Sequence, residues 1–127
     1  MGLPVLRTGV DLVEIARLET LNPAIRRRFL QRVFTHQELE IAGDSWSTLA
    51  GRFAAKEAVA KALGCGIGAV GWKEIEILRG PGGEPMLCLH GQAQQLAASQ
   101  GLSVWSISIS HSRSHAIAMA VALGESA

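Results

Sequence analysis

The period of hydrophobic and polar positions changes several times along the chain, and each change marks an element. Val5 to Val10 alternate as a strand, with Leu6, Val10 and Leu12 on one side and Gly9, Asp11 and Val13 on the other, so Asp11 is expected at the strand's end. Glu14, Arg17 and Leu18 suggest a short helix, for which Asp11 is also an acceptable N-cap. Asn22-Pro23 supplies an N-cap and a first-turn proline for a second helix, with Ile25 and Phe29 facing inward. Thr35 and Glu38 have capping-box spacing and predict a third.

The longest helical pattern runs from about Trp46 to Leu63, where Trp46, Leu49, Phe53, Ala60 and Leu63 form one stripe. The opposite face holds Ser47, Gly51, Ala54, Ala55, Ala58 and Ala62, small side chains that permit close approach. Such a helix is expected to be enclosed, and a charge on an enclosed helix is expensive unless a partner or ligand meets it. That draws attention to Arg52, Lys56, Glu57 and Lys61, of which Glu57 and Lys61 have i, i+4 spacing. Gly64-Cys65-Gly66-Ile67-Gly68 ends the helix, and Lys73 to Arg79 and Met86 to Leu89 read as a hairpin around Gly80-Pro81-Gly82-Gly83. Gln92 to Gln100 is a helix closed by Gly101. Ser103 to His111 and His115 to Leu123 form a second hairpin, each strand with one bulky and one small-residue face. Such a hairpin invites two covers, one from its own helix and one from another subunit. The fold class is therefore α+β, with helices packed on a small antiparallel sheet, in an oligomer.

Composition narrows the class. The 127 residues suit one domain, residues 1–127, and 48% hydrophobic with 18% charged residues excludes a disordered chain. No apolar run approaches a membrane span, and Arg7 and Asp11 interrupt the start where a secretion signal needs apolar residues, so a cytoplasmic protein with no membrane partner is expected. Cys65 and Cys88 suit a reducing compartment. A net charge of +1 argues against a nucleic-acid binder. The average conceals a basic front, however: up to His36, Arg7, Arg17, Arg26, Arg27, Arg28 and Arg32 face only Asp11, Glu14 and Glu19. Four bases between residues 26 and 32 without an acid favour an acidic partner.

Asp11 and Glu57 each have an ordinary explanation, as a helix cap and as an ion-pair partner of Lys61 or Arg52. Together, on rigid elements among bases, two carboxylates suit Mg²⁺ shared with substrate phosphates, because this ion commonly takes one or two carboxylates and keeps waters. Gly64 to Gly68 follows a helix and precedes a strand, so it is no Walker loop; it is either a turn or a nest of N–H groups for an anion. His111, taken alone, reads as a turn or core histidine. No Ser/His/Asp triad is recognisable, since Ser110 and His111 point to opposite faces of a strand.

Several segments together resemble one family. Gly9-Val10-Asp11-Leu12-Val13-Glu14-Ile15-Ala16-Arg17 matches G-x-D-x-x-E-x-x-R. Gly51-Arg52-Phe53-Ala54-Ala55-Lys56-Glu57-Ala58 with Lys61-Ala62-Leu63-Gly64 and Gly66-Ile67-Gly68 resembles the R-F-A-x-K-E-A-x-x-K-A and G-x-G-I-G run of the short bacterial 4′-phosphopantetheinyl transferases, the holo-[acyl-carrier-protein] synthases. Phe34 to Leu39 and Ser108-Ile109-Ser110-His111 resemble that family's F-T-x-x-E and S-I-S-H segments.

The resemblance implies a homotrimer with active sites between subunits and Mg-dependent transfer of phosphopantetheine from coenzyme A to a serine of apo acyl carrier protein, for fatty acid biosynthesis. Asp11 and Glu57 would hold Mg²⁺, and the metal and Lys61 would neutralise charge on the bridging and leaving oxygens, with a carboxylate or a metal-bound water removing the serine proton. Arg52 and His111 would meet the 3′-phosphate, with Gly64, Gly66, Gly68 and Pro85 along the nucleotide. Arg17, Arg26, Arg27 and Arg28 would dock the acidic carrier. Two-half relatives carry a third acid where this chain has Val13, so a water would fill that position. A non-catalytic coenzyme-binding module and a structural oligomerisation domain are the alternatives, and neither requires Asp11, Glu57 and Lys61 together.

Overall fold

The computed structural model describes residues 2–126. β1 (Pro4–Glu14) leads into α1 (Ile15–Glu19), α2 (Pro23–Val33), α3 (His36–Ala42) and α4 (Trp46–Ala62). A 3₁₀ turn (Trp72–Glu74), the hairpin β2 (Ile75–Arg79) and β3 (Pro85–Leu89), α5 (Gly91–Ser99), β4 (Leu102–His111) and β5 (His115–Glu125) complete the chain. β1, β5 and β4 make a three-stranded antiparallel sheet in that order, and β2 and β3 a separate two-stranded one. The α+β class read from the pattern is the observed one.

The caps form as the sequence predicts. Asn22 accepts from the Ala24 and Ile25 N–H groups, and Thr35 and Glu38 close a reciprocal capping box. Two expectations change. β1 continues to Glu14 because β5 pairs with it throughout, from Pro4↔Glu125 to Glu14↔His115. Asp11 therefore lies inside the strand, opposite Ala118, and Glu14 rather than Asp11 occupies the N-cap of α1. Ile25 is 50% exposed, since the inner stripe of α2 begins only at Phe29, which meets Phe34 and Phe53 edge-on or tilted.

The hairpin's two faces are complementary rather than alike. Trp105, Ile107 and Ile109 of β4 stand beside Ala122, Ala120 and Ala118 of β5, so bulky and small residues share the inner face. The alanines make a flat floor on which α4 lies, with Ala54, Ala55 and Ala58 fully buried. Gly9 of β1 extends that floor: a Cβ there would overlap the Ala58 carbonyl oxygen. The outer face carries Leu6, Val10, Leu12, Ile117, Met119 and Leu123, all exposed on the single chain. Burying them would be favourable in proportion to their apolar area.

Candidate active site

Helix α4 distributes its charges between two neighbours. Arg52 and Lys56, one turn apart, face β2, whereas Glu57 and Lys61, also one turn apart, face β1. Lys56 is wholly buried, and its Nζ donates to Glu38 Oε1 at 2.7 Å, to the Ile75 carbonyl at 2.7 Å and to the Trp72 carbonyl at 3.1 Å. Glu38 Oε2 accepts from the Ile77 N–H at 2.8 Å, and Arg52 Nε donates to the Ile77 carbonyl at 3.0 Å. Side chains of α3 and α4 thus satisfy the edge of β2 that β3 leaves free, where unpaired backbone groups would otherwise be buried. Burial pulls the Lys56 pKa down and Glu38 pulls it partly back. Lys56 is accordingly structural, a role that the sequence pattern did not separate from catalysis.

On the other side, Lys61 Nζ donates to Asp11 Oδ1 at 3.1 Å and to the Val10 carbonyl at 2.8 Å. The i, i+4 pairing with Glu57 gives way to this contact across the fold. Glu57 makes no ion pair among the described residues; burial first, and then the Asp11 charge, push its carboxyl above the usual carboxylate range, with Lys61 opposing. Asp11 and Glu57 line one cleft of about 410 Å³ together with Arg17, Leu12, Val13, Leu18, Leu21, Phe29 and Phe53. The apolar walls were not legible as part of a site. Val13 is 8% exposed, and no cluster of three or more metal-ligating side chains exists among the described residues.

The donor set fits Mg²⁺: two carboxylates, oxygen ligands only, one of them lacking a cation and crowded by the other's charge. A divalent ion would remove the repulsion that raises Glu57.

The remaining predicted residues lie elsewhere on the chain. Gly64, at φ +74°, terminates α4 as a left-handed cap and donates to the Lys61 carbonyl at 3.0 Å. The Cys65 and Gly68 N–H groups bind the Ala60 and Val70 carbonyls, so with Gly64 three of the loop's five N–H groups are taken up inside the turn. A Cβ at Gly64, Gly66 or Gly68 would meet nothing within 4 Å, which leaves the backbone open to close approach. His111 lines a second cleft of about 540 Å³ with Glu19, Trp46, Ser47 and Arg113. Pro85 lines a third beside Trp105 and Ile107. Of the basic front, Arg17, Arg27 and Arg28 are exposed. Arg26 is engaged: it donates to the Glu19 and Leu21 carbonyls at 2.9 and 3.0 Å and lies 5.4 Å over the Trp46 ring.

Comparison with known proteins identifies the family. The model of the 4′-phosphopantetheinyl transferase superfamily matches residues 7–120. The holo-[acyl-carrier-protein] synthase of Herpetosiphon aurantiacus is 46% identical over 94% of this chain and 99% of its own, and that of Moorella thermoacetica 48% identical over 95% and 94%. The Helicobacter pylori holo-[acyl-carrier-protein] synthase, solved in complex with coenzyme A, superposes with a TM-score of 0.82 at 34% identity over 91% of this chain and 98% of that one. The Bacillus anthracis synthase, in complex with "CoA (3',5'-ADP)", gives 0.76 at 31% over 98% and 100%. The chain belongs to the 4′-phosphopantetheinyl transferase superfamily, among its holo-[acyl-carrier-protein] synthases.

Proposed function

We propose that the chain transfers the 4′-phosphopantetheine group of coenzyme A to a serine hydroxyl of apo acyl carrier protein, with Mg²⁺, in the cytoplasm, preparing the carrier for fatty acid biosynthesis. The observation that carries this reading is the cleft holding Asp11 and Glu57 beside Lys61, in a chain of this family.

In the reaction the serine oxygen forms a bond to the β-phosphorus of the coenzyme diphosphate. The bond from that phosphorus to the bridging oxygen breaks, the serine proton passes to a base in the site, and adenosine 3′,5′-bisphosphate leaves. Mg²⁺, when bound by Asp11 and Glu57, supplies positive charge to the diphosphate. Lys61 holds Asp11 in place through its contact at 3.1 Å, and its half-exposed ammonium remains available to the leaving oxygens. Phe29, Phe53, Leu18 and Leu21 limit water on the side of the cleft facing α1 and α2.

Arg52, Pro85 and His111 do not share the Asp11 cleft, and this separation supports a site assembled from two protomers, with His111 and its neighbours facing the cleft of an adjacent chain. The exposed apolar face of β1 and β5 supports the homotrimer that such an arrangement needs. Arg17, at the mouth of the cleft, with Arg27 and Arg28 and the partly engaged Arg26, supports docking of an acidic carrier beside the reacting phosphorus. Mass analysis of apo acyl carrier protein incubated with the chain, coenzyme A and Mg²⁺ tests the function. One phosphopantetheine per carrier is expected, and an unmodified carrier refutes it.

A further inference from the structure

Beyond Phe53 the buried apolar side chains of α4 are small: Ala54, Ala55, Ala58, Val59, Ala60 and Ala62. Methyl groups laid on the alanine floor of β5 and against Gly9 of β1 allow close approach but leave only shallow ridges to interlock, and apolar burial has no preferred direction. Such contacts fix how near the helix lies to the sheet more firmly than how far it is turned about its own axis.

Lys56 supplies the missing direction. Its ammonium, wholly buried, spends all three donors on Glu38 of α3, the Trp72 carbonyl of the 3₁₀ turn and the Ile75 carbonyl of β2. The Glu38 carboxylate is itself held by the Thr35 and Ile77 N–H groups at 2.9 and 2.8 Å. Thr35 Oγ1 donates to Glu76 Oε2 at 2.6 Å, and Glu76 Oε1 lies 3.0 Å from His90 Nε2, so the frame that receives Lys56 is braced in turn. Hydrogen bonds weaken steeply off line, which makes this anchor sensitive to rotation where the alanine face is not. Stability alone is a weak reason for the pair, because replacing a buried ion pair by well-packed apolar residues is often neutral or favourable.

Glu57 follows Lys56 by one residue, about 100° further round the helix, and lines the cleft with Asp11 of β1. A turn of α4 that frees Lys56 therefore swings Glu57 through the same angle. Mg²⁺ tolerates misplaced ligands poorly, since it demands near-octahedral geometry.

We propose that Lys56, beyond filling the edge of β2, is a positioning residue that sets the rotation of α4 and through it the separation of the Asp11 and Glu57 carboxylates. It touches neither substrate nor metal. The inference rests on the shared metal site of the transferase reading, but one of its readouts needs no metal.

The test compares the full chain with Glu38→Gln/Lys56→Met and with Lys56→Arg. In the double variant neither buried charge remains, and the new amide on α3 can accept from the Ile77 N–H and donate to the Ile75 carbonyl. The edge of β2 keeps partners while its link to Lys56 is cut. Lys56→Arg keeps the charge, but a planar fork cannot meet the same three acceptors from an unmoved helix. Both should fold, by far-UV circular dichroism, and bind Mg²⁺ about 10- to 100-fold more weakly in calorimetric titration, the usual scale for residues that orient metal ligands. Glu38→Gln alone leaves Lys56 its carbonyls and an amide oxygen, and should bind Mg²⁺ like the wild type. In metal-free crystals of the double variant α4 should be turned, with Lys61 withdrawn from Asp11. Wild-type Mg²⁺ affinity in either folded variant, or an unmoved α4, overturns the proposal, and Lys56→Arg decides it should the double variant fail to fold. A wild type that binds no Mg²⁺ refutes the metal reading and leaves the crystal comparison to judge the placement; Mg²⁺ bound equally by wild type and variants refutes the placement and leaves the metal site standing.

Discussion

Lys61 reaches Asp11 across the contact between α4 and β1, at 3.1 Å, and not Glu57 one turn back on its own helix. The two carboxylates of the cleft are therefore unequal: Asp11 has a cation and Glu57 does not.

Replacing Lys61 by Met should lower kcat about 10- to 100-fold, the scale of removing one preorganised charge from a transition state. Folding should change little, because the Lys61 side chain is 53% exposed and exposed pairs contribute about 0–1 kcal/mol. Far-UV circular dichroism and thermal melting alongside steady-state kinetics check both halves.

The upward shift of Glu57 gives the metal-free protein a definite pH signature. Its folded-state pKa exceeds the unfolded value, so the folded protein holds the proton longer and stability falls as pH rises between the two values. Glu57→Gln lacks this loss. Its stability relative to wild type should therefore rise across that window, starting near the ordinary carboxylate range, and level off above it. Urea melts in chelator over a pH series measure this, and a difference independent of pH would contradict the shift.

Gly9 sets how closely β1 approaches α4, and so whether Asp11 meets Lys61 at all. Gly9→Ala should destabilise the fold by about 1–3 kcal/mol, the usual range for overpacking, because the added carbon would overlap the Ala58 carbonyl. Denaturant unfolding tests this directly, and an unchanged midpoint would mean that the strand can move away.

How much of this was legible in the sequence depended on the range of the interaction. Caps and the long helix are local, so Asn22, Thr35, Glu38 and Gly64 marked them correctly. The extension of β1 to Glu14 depends on β5, more than a hundred residues away, and no local period contains it. The division of α4's charges was hidden for the same reason. Lys56 and Glu57 are adjacent, yet one is buried on Glu38 and β2 and the other faces a cleft, a difference set by which elements pack on each side. Helical periodicity could group Arg52 with Lys56, but not name the strand that meets them.

Within the basic front, the variants should separate by what each arginine already touches. Arg27→Glu and Arg28→Glu, at exposed positions without ion pairs among the described residues, should raise KM for the carrier several-fold at low salt, with less effect at high salt and none on KM for coenzyme A. Arg26→Glu should in addition lower the melting temperature, since it breaks the bonds to the Glu19 and Leu21 carbonyls and the contact with Trp46. Kinetics at two ionic strengths with melting curves distinguish the cases.

The central claim is that Asp11 and Glu57 hold one divalent ion between them, and calorimetric titration of Mg²⁺ into the wild type, Asp11→Asn and Glu57→Gln tests it most directly. One site per chain in the wild type, lost from both folded variants together with a fall in turnover of about a hundredfold or more, is the predicted result. Wild-type Mg²⁺ affinity in either variant would contradict it.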